Sequence, residues 1–223
     1  MNLSDFLSGK NILEEVESPI NGKLQVIRDL AWGTYIQGGG LTQSGGILEK
    51  IWKDTLKEIQ DSRFKIQDVL ILGLGAGSLA KLTRKNYPRA KITGVDIDPM
   101  MIDLGKKYLK LDDYKVEVQI EDAFEYLEKH QTLNTKHQTH QTKFDLVCVD
   151  LYVGEDFPEK FGSDEFIGNV KRILSKDGIA IFNRTYYDEK RTQAKKFGEK
   201  LEKHFKNVKW YYPEANLMFI CRD

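Results

Sequence analysis

The chain has 223 residues, enough to bury the core of one α/β domain with a modest appendage. Lysine plus arginine and aspartate plus glutamate each count 34, so no net charge draws it to nucleic acid or an anionic membrane. No stretch approaches the roughly 18 consecutive apolar residues of a membrane helix, and the opening MNLSDFLSGKN lacks the basic flank and apolar run of a signal peptide. The two cysteines, Cys148 and Cys221, sit inside apolar runs and read as inert packing groups rather than a disulfide or metal site, so a reducing cytoplasmic setting is expected.

In chain order, residues 10 to 43 are rich in strand signals. KNILEEVES, KLQVIRD and WGTYIQG are short runs with partial alternation, broken at Ser18 to Gly22 and at Leu30-Ala31, and Gly38-Gly39-Gly40 ends this part. Residues 1–45 therefore form a small N-terminal β-subdomain, read as a lid over a ligand cleft, with an edge extension of the main sheet as the other possibility. A helix is predicted from Gly46 to Gln60, with Ile47, Ile51, Trp52, Thr55, Leu56 and Ile59 on one face. Residues 46–223 form the main domain.

That domain is organised around Asp68 to Asp98. Val69 to Leu72 reads as a strand buried on both faces, and it runs into three glycines at alternate positions, Gly73, Gly75 and Gly77. Ser78 is placed to cap a helix that Pro88 stops, and a second apolar run, Ile92 to Val95, ends on Asp96. A strand, a glycine turn, a helix and a strand closing on a carboxylate make a half-unit that holds a nucleoside. The third glycine follows the second by two residues, which departs from the G-x-G-x-x-G dinucleotide spacing and suits adenosine without phosphates. Ordinary βα turns use glycine as well, so the turn alone does not settle a ligand.

After Asp98, Pro99 starts a helix at its first position, VEVQIED gives a strand, and Phe124, Tyr126 and Leu127 lie on the next helix. Residues 130–142 hold three His-Gln-Thr repeats, beginning at His130, His137 and His140. They invite a metal reading, but no carboxylate or cysteine stands at ligand spacing, so a solvated loop insertion and no metal are expected. FDLVCV ends at Asp150, Ser163 caps a helix through Phe166 to Leu174, and IAIFN follows Gly178. A helix over 189–205 and an antiparallel hairpin, VKWYY with LMFICR, close the chain at one edge of an otherwise parallel sheet.

This pattern resembles the Rossmann-like class I fold of S-adenosylmethionine-dependent methyltransferases, an α/β sheet, mostly parallel, with an antiparallel last strand. Within it the chain is most similar to the spermidine synthase family of aminopropyltransferases. The resemblance covers about residues 12 to 184 and rests on the N-terminal sheet, GTYIQGGGLTQS, GLGAG, Asp96 with Asp98, Glu121-Asp122-Ala123 and FDLVCVDLY. It implies that Gly73, Gly75 and Gly77 line the methionine-derived part of S-adenosylmethionine or its decarboxylated form, that Asp96 takes the ribose hydroxyls, and that Ile97 lies against adenine. It implies further that Asp122 bonds the adenine amino group, Ala123 the ring edge through its backbone, and that Gln43 approaches from the N-terminal side. Asp150 stands at the first aspartate of the family's Asp-x-x-Asp-Pro motif, the base or orienting group for the acceptor, and Tyr152 is the next candidate to flank it. Capping of the following loop by Asp150, and plain packing of Tyr152, are the bland alternatives.

The departures are specific. Val153-Gly154 replaces the second aspartate and proline, Ala76 replaces an aspartate of the glycine turn, and Leu48-Glu49 and Trp52-Lys53 stand where the family has an Asp-Glu and a Tyr-Gln pair. A diamine is a dication whose site needs several carboxylates, so these losses argue against putrescine. Methyl transfer to a small-molecule acceptor is the reading that follows, with aminopropyl transfer and a non-catalytic nucleoside-binding domain as alternatives. The family tendency makes a homodimer plausible.

Overall fold

The computed structural model describes residues 9–60, 65–132 and 143–223. Four antiparallel strands, β1 (Asn11–Ser18), β2 (Gly22–Asp29), β3 (Gly33–Gly38) and β4 (Leu41–Gly45), form a meander in that order. Three of them match the sequence reading. β4 adds to it: Gly39 and Gly40 both take positive φ and reverse the chain directly into LTQSG, which has no apolar alternation to announce a strand.

Helix α1 (Gly46–Lys57) leads to a seven-stranded sheet of order β10-β11-β9-β8-β5-β6-β7. Its strands are β5 (Asp68–Leu72), β6 (Lys91–Asp96), β7 (Val116–Ile120), β8 (Phe144–Val149), β9 (Leu174–Thr185), β10 (Asn207–Tyr211) and β11 (Asn216–Arg222). β7, β6, β5, β8 and β9 run parallel, while β11 lies antiparallel to β9 and β10 antiparallel to β11. The predicted terminal hairpin is present, with β10 at the rim. The chain order reverses between β5 and β8, and open α/β sheets bind ligands beyond the carboxyl ends of their strands at such a point.

The helices α2 (Ser78–Asn86), α3 (Pro99–Leu109), α4 (Ala123–Thr132), α5 (Asp164–Arg172) and α6 (Lys190–His204) cover the sheet. Side chains alternate along β5: Leu70 and Leu72 join Phe166, Val170 and Phe197 in one core, and Val69 and Ile71 join Trp52, Leu56 and Leu79 in the other. Each is buried completely or nearly so, and full burial of such a side chain stabilises by about 1.5–3 kcal/mol. That exceeds the net ~1 kcal/mol of one hydrogen bond, so the polar strand tips are carried by an apolar frame.

The N-terminal sheet is fixed to this frame by an apolar patch and two polar clasps. Leu24, Val26 and Ile36 pack on Ala76, Met101 and Leu104. Asp98 caps α3 through the Met100 N–H at 2.9 Å, and its other oxygen accepts from Ser18 Oγ and Asn21 Nδ2, each at 2.6 Å. The second clasp corrects the sequence reading of Ser78. Gly77, at φ 94°, is the residue preceding α2 and no side chain caps the helix; Ser78 Oγ instead accepts the Gly45 N–H at 2.5 Å and bonds Ser44 Oγ at 2.8 Å.

Both cysteines are buried and free, and desolvation pushes their thiols well above the usual range, as inert packing groups require. Among the described residues no helix is long and apolar enough to cross a membrane.

Candidate functional site

Beyond the carboxyl ends of β5, β6, β7 and β8 lies a cavity of about 360 Å³, within the range of small-molecule sites. The N-terminal sheet contributes Asn21, Leu41, Thr42 and Gln43 to its wall, in keeping with a lid. Nine of the ten candidate residues read from the sequence line this one cleft: Gln43, Gly73, Gly75, Asp96, Ile97, Asp122, Ala123, Asp150 and Tyr152.

Gly77 is the exception and a correction. It does not line the cleft; a Cβ there would come within 2.6 Å of Leu111 Cδ1, so this glycine makes room for the core under α2 rather than for a ligand. Gly73 and Gly75 differ again. At Gly73 a Cβ would meet the Asp150 carbonyl, whereas at Gly75 it would make only ordinary contacts, with the Gln43 carbonyl at 3.5 Å and with Met101 Cε and Ser44 Oγ at 3.7 Å.

At the β6 tip, Asp96 Oδ2 accepts the Gly75 N–H at 2.7 Å and Oδ1 accepts the Asp98 N–H at 2.9 Å. Each carboxylate oxygen keeps a further lone pair, which fits a vicinal diol. Ile97 beside it, large and apolar, is 43% exposed and lines the cleft. Burial pushes Asp96 up to about 6, against backbone hydrogen bonds that pull it down. Binding of methylthioadenosine or S-adenosylhomocysteine is therefore expected to be flat above pH 6 and to weaken below it by up to tenfold per pH unit, as protonation removes an acceptor. Calorimetry from pH 5 to 8 tests this, and a flat affinity across that span removes Asp96 from the contact. In the free protein the sign is opposite: the raised pKa contributes stability present below about pH 4 and lost as pH rises through 6.

At the β7 tip, Asp122 Oδ1 accepts the N–H groups of Phe124 (2.9 Å) and Glu125 (3.3 Å), which caps α4, and Oδ2 pairs with Lys160 Nζ at 2.6 Å. Lys160 also lines the cleft and was not identified from the sequence, where it is one lysine among many. Ala123, buried at the first position of α4, puts backbone at the same wall.

Asp150 follows β8 and opens onto the cleft. Its Oδ2 accepts the Trp52 indole N–H at 2.7 Å, its Oδ1 accepts from Asn183 Nδ2 at 2.8 Å, and Asn183 Oδ1 in turn accepts from Asn216 Nδ2 at 2.7 Å. These donors are all neutral. Burial pushes the Asp150 carboxyl up, and the indole and amide hydrogen bonds pull part of that back. A desolvated carboxylate held in place without a cation is suited to receive a proton or an ammonium. Its partners lie on α1 and β9, not in the loop that follows it.

Two expected roles change. The Tyr152 hydroxyl accepts the Thr185 N–H at 2.8 Å and its ring lies edge-on to Phe157 at 5.6 Å, so Tyr152 anchors the loop after β8 to β9 and offers the cleft its ring rather than a free hydroxyl. Gln43 Nε2 donates to the carbonyls of Gly38 (3.1 Å) and Gly154 (2.9 Å), and so fastens the lid to that same loop. Ala76 is wholly buried against Met101 and Leu104 and is not among the residues that line the cleft. Tyr187 lines the cleft, whereas Tyr186 packs on Tyr212.

His137 and His140 lie outside the described residues. His130 stacks on Tyr126 at 5.4 Å, and among the described residues no group of three metal-ligating side chains occurs.

A family model described as spermine/spermidine synthase domain matches residues 49–215. A curated relative, the polyamine aminopropyltransferase of Pyrobaculum aerophilum, is 36% identical over 133 residues, 55% of this chain and 43% of that protein. The eEF1A lysine and N-terminal methyltransferase homolog of Drosophila melanogaster is 31% identical over 131 residues, 57% of this chain and 19% of that protein. The chain thus spans less than half the length of either. Among solved structures, a spermidine synthase in complex with the transition state analogue AdoDATO superposes with a TM-score of 0.73 at 18% identity, covering 95% of this chain and 73% of that one. Human methyltransferase-like protein 13 in complex with SAH gives 0.61 at 21% identity, covering 79% of each. At such identities the superpositions establish the fold.

Proposed function

Since the chain belongs to the spermine/spermidine synthase family, we propose that it transfers an aminopropyl group from decarboxylated S-adenosylmethionine to a primary amine, with Asp150 as the proton acceptor. The single observation that carries this is Asp150 fixed at the β8 tip by two neutral donors, with no cation among the described residues paired with it. Such a carboxylate attracts an ammonium and, as the amine attacks, takes its proton. The donor supplies a carbon already activated by its sulfonium, so the chain has to align, desolvate and deprotonate rather than activate a leaving group. The nitrogen lone pair forms the C–N bond, the C–S pair returns to sulfur as a neutral thioether, and the proton leaves through Asp150. Asp96 and Ile97 would hold the ribose and adenine, Gly75 the chain beyond sulfur.

The expectation from the sequence put methyl transfer first, and family membership together with the P. aerophilum relative reverses that order. Methyl transfer from intact S-adenosylmethionine is kept as a second reading on one observation. Ala76 is apolar and buried and does not line the cleft, so residue 76 provides no carboxylate to bond an aminopropyl ammonium or to repel the intact donor. Both readings place an amine at Asp150, as the names of both kinds of relative suggest.

Product identity separates them. The chain is incubated with an amine mixture and each donor, and products are weighed by mass spectrometry. An aminopropylated amine with methylthioadenosine is the expected result; a methylated amine from the intact donor alone replaces it with the second reading.

A further inference from the structure

We propose that the acceptor is a primary amine on an apolar stem with no second cation within a few methylenes, an inference that rests on amine transfer at Asp150 as read above. The end of the cleft around Asp150 is closed by α1, which supplies Trp52 to the carboxylate, and by the β10–β11 turn with the first residue of β11, Asn216, which bonds Asn183. The wall these elements present is largely apolar: Ile47, Leu48 and Ile51 from α1, Ala215 from the turn, and Val153, with Tyr187, whose hydroxyl lies within the field of Glu155 and Asp188, at its edge.

One further carboxylate lines this end, Glu214 in the β10–β11 turn. It is already paired with Lys50 of α1, and the two side chains are 44% and 46% exposed. A pair so wet is worth little, and its net charge is zero, so it offers a second ammonium scarcely more than water does. Val153, 38% exposed on the same wall, would leave that ammonium against a methyl surface and uncompensated. An uncharged stem meets no such penalty, and each methylene it buries favours binding by about fourfold.

The chemistry has two sources, a free alkylamine or the side chain of lysine, and one assay distinguishes them. The full chain is given its donor with n-butylamine, n-hexylamine, putrescine or Nα-acetyl-lysine amide, and kcat/KM is measured for each. Butylamine is expected to exceed putrescine by at least about tenfold, and hexylamine to exceed butylamine. Nα-acetyl-lysine amide above hexylamine assigns the stem to lysine, and below it to a free amine; both orders uphold the proposal. Val153→Asp is expected to raise putrescine relative to butylamine by about tenfold with donor affinity unchanged, and if that variant does not fold the unmodified chain decides alone. Putrescine equal to or better than butylamine overturns this inference and leaves amine transfer standing. No product from any amine, with donor binding intact, overturns both.

Discussion

Asp150→Asn is expected to lower kcat by roughly 10² to 10⁴-fold while donor affinity stays within about threefold, because a positioned base contributes on that scale. The substitution keeps size and shape, so the cores beneath it are undisturbed. What changes is that one carboxylate oxygen becomes an NH₂ facing a donor, either the Trp52 indole or the Asn183 amide. Asn183 cannot simply turn over, since its own oxygen is held by Asn216. The loss is therefore in the charge and the proton acceptor, with a small local rearrangement. A pH profile adds a second reading. Burial raises Asp150, so kcat/KM of the unmodified chain is expected to fall as pH drops through a limb above the usual carboxylate range. Trp52→Phe removes a hydrogen bond to the charged form, which moves that limb to higher pH. A variant Asp150→Asn with more than a tenth of the original turnover sinks the assignment of the base.

The parts of this architecture that were legible are those where local pattern and tertiary role coincide. Val69–Leu72, Ile92–Val95 and FDLVCV are dominated by apolar residues because both of their faces are covered, and the residues that end them, Gly73, Asp96 and Asp150, fall at the cleft for the same reason. Asp98 and Ser163 cap the helices that follow them because nothing else competes for their first oxygen. Ser78 has the same local pattern, but a strand end from the N-terminal sheet reaches its hydroxyl first. β4 carried no signal at all, since its residues are polar and its pairing is set by the two glycines before it.

Within the site, residues that reach the cleft through strand-tip position were visible, and residues that reach it through another side chain were not. Trp52 sits on the apolar face of an amphipathic helix and reads as core, which it is; only the fold brings its indole N–H to a carboxylate 98 positions away. Asn183 and Asn216 offered a fainter signal, two asparagines at the tips of apolar runs on neighbouring strands, where a buried amide demands a partner. The glycine turn was legible as a unit but not residue by residue. Sequence shows three glycines, while their surroundings differ: a carbonyl at Gly73, ordinary contacts at the edge of the cleft at Gly75 and a leucine side chain at Gly77.

That difference makes the turn a discriminating test. Gly73→Ala is expected to destabilise the chain by more than about 4 kcal/mol, or to prevent folding. Gly73 has φ 87°, and its Cβ would lie 2.0 Å from the Asp150 carbonyl oxygen and 2.7 Å from that carbonyl carbon. Neither side can yield. The Asp150 N–H is bonded to the Leu72 carbonyl at 2.8 Å, the Gly73 N–H to the Val95 carbonyl at 2.9 Å, and Leu72, Val95 and Val149 are all fully buried. Relieving the clash means separating β5 from β8 at their tips, where Asp150 is positioned. Gly75→Ala, two residues on, meets nothing nearer than the Gln43 carbonyl at 3.5 Å and has φ 54°, so it carries only the cost of a left-handed alanine, about 1 kcal/mol. That variant is expected to fold, to melt within a few degrees of the unmodified chain, and to bind S-adenosyl ligands at least tenfold more weakly, because the strained backbone at 75 lines the cleft and its N–H holds Asp96. Thermal denaturation and calorimetry on the pair separate a glycine held by the fold from one held by the ligand. A Gly73→Ala chain melting normally, or a Gly75→Ala chain binding normally, reverses the assignment at that position.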